Sequence, residues 1–396
     1  MTVESSVAQQ PARVAFYNDP RVRSATYQVL LCVIVGLLVY SAVSNAVDNL
    51  HRAHIASGFG FWNQTAGFDI SQTLIAYSAA TSTYGEAFWV GLLNTLLVAV
   101  IGIAIATILG FAIGIARLSS NWLLVKAATV YVETIRNIPL LLQLLFWYNA
   151  VLKALPDIRD SHRFFGSYLN NRGLFVPEPI PDPGFGFVEV ALVVGIVGAL
   201  AFYFWAHKRQ METGQQAPVV RVVLGLVIGL PLVVYVAAGM PMHLDHPQLG
   251  RFNLNGGLAL QPEFVALLVG ISIYTAAFIS EVVRAGILAV SRGQTEAAYS
   301  LGMQPRPTLR LIVIPQAMRV IIPPLTSQYL NLTKNSSLAV AIGYPDLVQV
   351  FTGTVLNQTG QAVEVVAITM LVYLSISLIT SLAMNIYNSR VALVER

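Results

Sequence analysis

Charge is what this sequence has least of. Only 11% of its 396 residues are Asp, Glu, Lys or Arg, while 56% are hydrophobic. A soluble domain carries roughly 25% charged residues, so this chain cannot cover a water-facing surface. There is a single cysteine, Cys32, inside an apolar run. That excludes a disulfide framework and any multi-cysteine metal centre, and reads as a packing residue. No GxxxxGKS or GxxxxGKT phosphate loop occurs, so any ATP hydrolysis linked to this chain is done by another chain. The excess of base over acid, 23 Lys and Arg against 19 Asp and Glu, is too sparse for a nucleic-acid footprint. With a mean hydropathy of +0.66, what remains is a membrane protein.

Spanning helices need about 20 mostly apolar residues. Eight stretches qualify: Tyr27 to Val47, Phe88 to Leu118, Leu123 to Leu152, Val188 to Ala206, Val219 to Gly239, Phe264 to Val290, Val320 to Phe351 and Val363 to Tyr387. The first follows Arg21 and Arg23 and contains small residues at Ala42, Ser44 and Ala46. Its apolar run exceeds the roughly 7 to 15 residues of a signal-peptide core, so it reads as a retained helix. With the N-terminus cytoplasmic, 15 Lys and Arg, from Arg13 to Arg396, fall inside and six fall outside. This asymmetry places both termini in the cytoplasm.

The segments 48–87, 153–187 and 240–262 are then external, polar and turn-rich, and read as partly ordered loops. His243 and His246 have only Asp245 beside them, a weak metal constellation that reads as loop histidines. Gly110/Gly114 and Gly225/Gly229 fit the small-xxx-small pattern of close helix packing.

One cytoplasmic segment carries more specific information. Residues 294–301 have helix-forming composition, with Glu296 placed in the first turn, where the macrodipole favours an anion, and Gly302 at the C-terminal cap. Glu296-Ala297-Ala298 is followed after three residues by Gly302, and after nine more by Ile312, Ile314 and Pro315. This resembles the EAA loop of ATP-binding-cassette (ABC) importer permeases, with Ile314 replacing the usual leucine. The flanking Gly293-Gln294, Pro315-Gln316-Ala317-x-Arg319 and Leu332-Thr-Lys334-Asn335-Ser336-Ser-Leu338 resemble the polar-amino-acid permease family. So do Glu133-Thr-Ile-Arg136-Asn-Ile-Pro139-Leu-Leu-Leu-Gln143 and Tyr274-Thr-Ala-Ala-Phe-Ile-Ser-Glu281-Val-Val-Arg284.

The resemblance implies an all-α polytopic type I ABC importer fold with a five-helix core, an extra N-terminal helix and an inserted helical hairpin. It divides the chain into 1–87 (tail, extra helix and periplasmic loop), 88–152 (first core part), 153–262 (insertion) and 263–396 (second core part, with the coupling loop 291–319). Among such permeases the long form is similar to the Q-type subunit of general L-amino-acid importers. A bacterial inner-membrane permease of that kind would work with a second permease, two ATPase subunits and a periplasmic amino-acid-binding protein. ATP and Mg would bind the ATPases and no cofactor would bind this chain. Glu296, Ala297, Ala298, Gly302 and Pro315 would couple it to the ATPase. The rival class, a secondary transporter or channel acting without an ATPase, leaves the EAA spacing unaccounted for.

Ionisable residues within spans are functional candidates. Five are singled out: Glu133, Arg136, Glu281, Arg284 and Lys334. At about 1.5 Å per residue, Glu133, Glu281 and Lys334 are expected about 10 to 18 Å deep, offering charge from three helices at one level. Glu133/Arg136 and Glu281/Arg284 are i, i+3 neighbours able to pair. Lys334 has no such partner. It is expected either to meet the substrate carboxylate, helped by Asn331, Asn335 and Ser336, or to pair with Glu281 or a partner's acid.

Overall fold

The computed structural model describes residues 20–52, 57–215, 217–251 and 253–391. Arg13 and Arg396, on which the sidedness of the termini was partly read, lie outside the described residues, as do the side chains of Arg21 and Arg390.

The helices run α1 (Pro20–Arg52), α2 (Tyr84–Ala116), α3 (Trp122–Asn137), α4 (Leu140–Leu145), α5 (Phe185–Thr213), α6 (Val219–Leu224), α7 (Leu230–Ala237) and α8 (Pro262–Leu288). They continue with α9 (Arg292–Ser300), α10 (Pro305–Thr308), α11 (Ile314–Asn335), α12 (Leu356–Thr359) and α13 (Ala362–Val391). Among the described residues seven segments are long and apolar enough to cross a membrane. An eighth exists only if the bent pair Trp122–Asn137 and Leu140–Leu152 is one span.

That bend corrects the straight third span. Proline disfavours helical geometry in the residue before it. Ile138 is accordingly extended, at φ −101° and ψ 127°, and the chain turns by 106°. Gln143 compensates for the break, its Nε2 donating to the carbonyls of Ile135 (2.8 Å) and Ile138 (2.9 Å) that the ended helix leaves over. The seventh span also differs. Helix from Pro305 through α11 passes into a 3-10 turn that ends at Ile342, and left-handed Gly343 (φ +78°) stops it. The segment from Tyr344 therefore lies beyond the span.

The core forms where α2 and α8 run side by side. A Cβ at Gly110 would lie 2.5 Å from Ile279 Cγ2, and one at Gly114 would lie 2.8 Å from the Ser280 carbonyl oxygen, so only glycine allows this approach. Ile271, Ile279, Val283, Ile321 and Leu332 fill the space between α2, α8 and α11. The second glycine pair behaves otherwise. A π-turn covers Gly225–Gly229, and neither end glycine has an atom within 4 Å of an added Cβ. The close contact of this hairpin is at Gly195 of α5, where the Leu226 carbonyl oxygen leaves no room for a Cβ. Cys32 is exposed on α1, whose apolar residues face outward, so it is not a packing residue within this chain.

The second and third external loops build a β-module around the hairpin α5–α7. Its strands are β1 (His162–Phe164), β2 (Ser167–Asn170), β3 (Gly173–Val176), β4 (Glu178–Pro181), β5 (Met242–Asp245), β6 (Gln248–Leu249), β7 (Leu254–Asn255) and β8 (Leu258–Leu260). The order β1-β2-β3-β8 joins the segments before and after the hairpin, and β4 pairs with β5, all antiparallel. Patterning could not show this, because the strands are two to four residues long and pair across the hairpin.

Overpacking a tight helix contact costs about 1–3 kcal/mol. Gly114→Val is therefore expected to lower the thermal midpoint of the purified protein in detergent, whereas Gly229→Val, at an open site, leaves it unchanged. Equal midpoints would refute the assignment of the α2–α8 seam.

Candidate functional site

The short helix α9 begins at Arg292, two residues before the expected start, so Glu296 is in its second turn and not at its positive end. Gly302 adopts φ +76°. Its N–H donates to the Tyr299 carbonyl (2.9 Å) and that of Met303 to Ala298 (3.1 Å), the pattern of a Schellman-type stop. Ala298 is buried, while Glu296, Ala297 and Gly302 are exposed and Leu301 is 83% exposed. Pro315 is exposed at the start of α11, beside Gln316, whose Nε2 donates to Gln294 Oε1 on α9 (3.3 Å). The residues expected to act in coupling thus gather at one end of the molecule.

Contacts along α2 give a ruler for the other candidates. Gly114 abuts Ser280 and Val283, Gly102 abuts Ile271 and Leu332, and Gly91 abuts Leu347. Arg117, the C-cap of α2, forms an ion pair with Glu281, which Arg284 also holds at 2.5 Å. The sequence reading missed Arg117, counting it only as a cytoplasmic charge. Lys334 is two residues beyond Leu332, near the level of Gly102. Glu281 follows Ser280, which is at the level of Gly114, and the twelve residues of helix from Gly102 to Gly114 span about 18 Å at about 1.5 Å per residue. The expectation that Glu281 and Lys334 share one level is therefore wrong, and Glu281 already has two partners. It failed because depth was counted from the end of each helix separately.

Glu133 and Arg136 likewise do not pair. Arg136 lies over the Phe278 ring at 5.1 Å, and Glu133 is exposed on α3. Lys334 and Asn331 are both exposed and close on one face of α11, with Asn335 half-buried. Ser336 is buried, and its hydroxyl donates to the Thr333 carbonyl at 2.7 Å, so it cannot serve that face. The change from α to 3-10 geometry at Ser336 removes it from the helical register. Among the described residues Lys334 has no carboxylate in ion-pairing range.

A further acid went unnoticed. Asp346 is fully buried and accepts from the Gln349 N–H (2.8 Å) and the Tyr373 hydroxyl (3.3 Å). Beside it, Asn94 donates to the carbonyls of Gln72 and Pro345, and the Leu347 N–H donates to Thr95 Oγ1. This knot fastens the turn after α11 to α2 and α13. Its signal was local: Gly343, Pro345 and Asp346 together spell a helix stop followed by an N-cap. His243 binds Asp182 at 2.8 Å, bracing the strand pair β4–β5.

Residues 102–393 match the family described as the binding-protein-dependent transport system inner membrane component. The chain belongs to this family. It is 55% identical to the general L-amino acid transport system permease protein AapQ of Rhizobium johnstonii, over 97% of this chain and 96% of that protein. Identity is 52% with the putative amino-acid ABC transporter permease protein YhdX of Escherichia coli, covering 96% and 97%. With the glutamate/glutamine/aspartate/asparagine transport system permease protein BztB of Rhodobacter capsulatus it is 42%, covering 99% and 100%. The resemblance read from the EAA spacing is borne out, and the polytopic architecture, helical apart from the external β-module, fits an importer permease.

In this permease the Arg117–Glu281–Arg284 cluster clamps α2 to α8 at the end nearer α9. Hydrogen bonds to charged groups contribute about 1.5–3 kcal/mol, and a guanidinium left alone costs more. Glu281→Gln is expected to destabilise the permease. The double variant Arg117→Met/Glu281→Met should recover part of the loss, and strictly additive thermal shifts would exclude the clamp.

Proposed function

We propose that this chain is the translocating permease subunit of an amino-acid ABC importer in a bacterial inner membrane, with both termini cytoplasmic. It works with a second permease, two ATPase subunits that hold ATP and Mg, and a periplasmic amino-acid-binding protein. It performs no chemistry of its own. The observation that carries the reading is the arrangement of α11: one end is tied to the exposed α9 helix, and the other presents Lys334, inside the span Pro305–Ile342 and, among the described residues, with no carboxylate in ion-pairing range. An uncompensated charge within a span costs up to about 3 kcal/mol on insertion scales, so it is kept for a partner that comes and goes. The α-carboxylate common to all amino acids is such a partner, with Asn331 and Asn335 able to add hydrogen bonds. Recognition of the shared backbone groups leaves the side chain in a tolerant space. Several polar or charged L-amino acids are therefore accepted, with initial selection by the binding protein.

Two variants test this in proteoliposomes holding the whole complex. Lys334→Met is expected to leave assembly and ATPase stimulation intact while uptake falls by about tenfold or more, the loss of one charge-assisted contact. Unchanged uptake affinity in a well-assembled Lys334→Met complex would rule out the carboxylate contact. Gly302→Asp combines a β-carbon in a left-handed conformation with an added charge on the α9 surface. It is expected to insert normally and abolish uptake, and normal uptake would end the coupling role of α9.

A further inference from the structure

The β-module has a membrane end and an apex. A Cβ at Gly173, where β3 begins, would lie 3.2 Å from Pro262 N, the first residue of α8. The Asn171 N–H donates to the Pro156 carbonyl on the same side. From there β3 leads away from the spans to Pro177, and β4 returns to α5, which begins at Phe185. Strand β5 likewise leaves the end of α7 and reaches His246. Pro177 and His246 are therefore the far end of both strand pairs. The β1–β2 hairpin turns at that same end: a Cβ at Gly166 would lie 2.9 Å from His246 Nδ1 and 3.6 Å from Pro177 Cγ.

The turn itself is unusual. Phe164 pairs with Ser167, leaving a two-residue loop, Phe165-Gly166, with φ +46° and +74°. Such loops strongly favour Asn, Asp or Gly where φ is positive. A phenylalanine is strained there, and its ring gains nothing from this chain, since Phe165 is 99% exposed. Phe164 beside it is 43% exposed. Strain and a bare aromatic ring at one position, on a turn seated against His246 and Pro177, describe a rigid anchor for something outside the chain.

We propose that Phe165 is the anchor by which the importer's soluble amino-acid-binding protein docks on this permease, its ring entering an apolar pocket on that protein. The inference rests on the importer reading and on the outward sidedness of the 153–187 segment. The apex points away from the spans, so the occupant arrives from the aqueous phase and not from the bilayer. The membership of a binding-protein-dependent family names the kind of soluble protein that must arrive there.

The test measures ATPase activity of the reconstituted complex against the concentration of its binding protein. Phe165→Asn relieves the backbone strain, so folding, thermal midpoint and basal ATPase should be unchanged or improved. Its half-stimulating concentration should rise about tenfold or more, the loss expected of an interface anchor, with an unchanged maximal rate, and Phe165→Trp should stay near the parent. An unchanged half-stimulating concentration for Phe165→Asn overturns the docking role. So does a lowered thermal midpoint, which would make the ring structural, or a loss confined to binding of vesicles of phosphatidylethanolamine and phosphatidylglycerol, which would make it a lipid contact. If the parent complex itself is not stimulated by any binding protein, the importer reading fails and the docking with it. Stimulation of the parent with an indifferent variant removes only the docking.

Discussion

The close contact of α2 with α8 is the constraint on which the rest of the core depends. Three glycines, Gly102, Gly110 and Gly114, let the helices approach until the side chains of Ile271, Ile279 and Val283 lie against backbone. Inside a bilayer there is no hydrophobic gain from joining helices, so such van der Waals contact and the polar links at its ends must supply the affinity. Such a link is present at one end, where the Arg117–Glu281–Arg284 cluster joins α2 to α8, while at the other the knot of Asn94, Thr95, Tyr344 and Asp346 ties α2 to the turn after α11 and to α13. Between them lies an apolar seam with no charge to be solvated.

Much of this was legible and the failures have physical causes. Hydropathy located the spans because no other structure hides the backbone polar groups of so many apolar residues. The EAA spacing located the short exposed helix α9, and Gly302 has the left-handed backbone that a glycine at its C-terminal end implies. What hydropathy cannot see is direction. Ile138-Pro139 is as apolar as its neighbours, yet it turns the chain by 106°. The β-module was invisible for a different reason. Its strands, two to four residues long, are too short for a period-two pattern to register, and the pairing of β3 with β8 bridges an entire helical hairpin.

The charged residues show the same limit. Sequence neighbours i, i+3 suggested two pairs, but of these only Glu281/Arg284 forms, and Arg117 from α2 joins it. Lys334 was legible as the residue left over. Its isolation from Glu281 was not, since it depends on where along α2 each helix touches. The result is a division of charge along the core: a compensated cluster near α9, and the exposed Lys334 ammonium about 18 Å away along α2, twelve residues at about 1.5 Å each.

That division bears on how motion at one end could reach the other. Helix α11 holds both regions, joined to α9 through Gln316 and carrying Lys334 near its far end. It is also the least regular of the core helices. A π-turn at Leu309–Val313 precedes it, Pro323 and Pro324 interrupt its hydrogen-bond ladder, and a 3-10 turn follows at Ser336. The α2–α8 pair, by contrast, is locked by glycine contacts and the arginine clamp. A displacement of α9 would therefore bend α11 at these breaks before it opened the seam between α2 and α8.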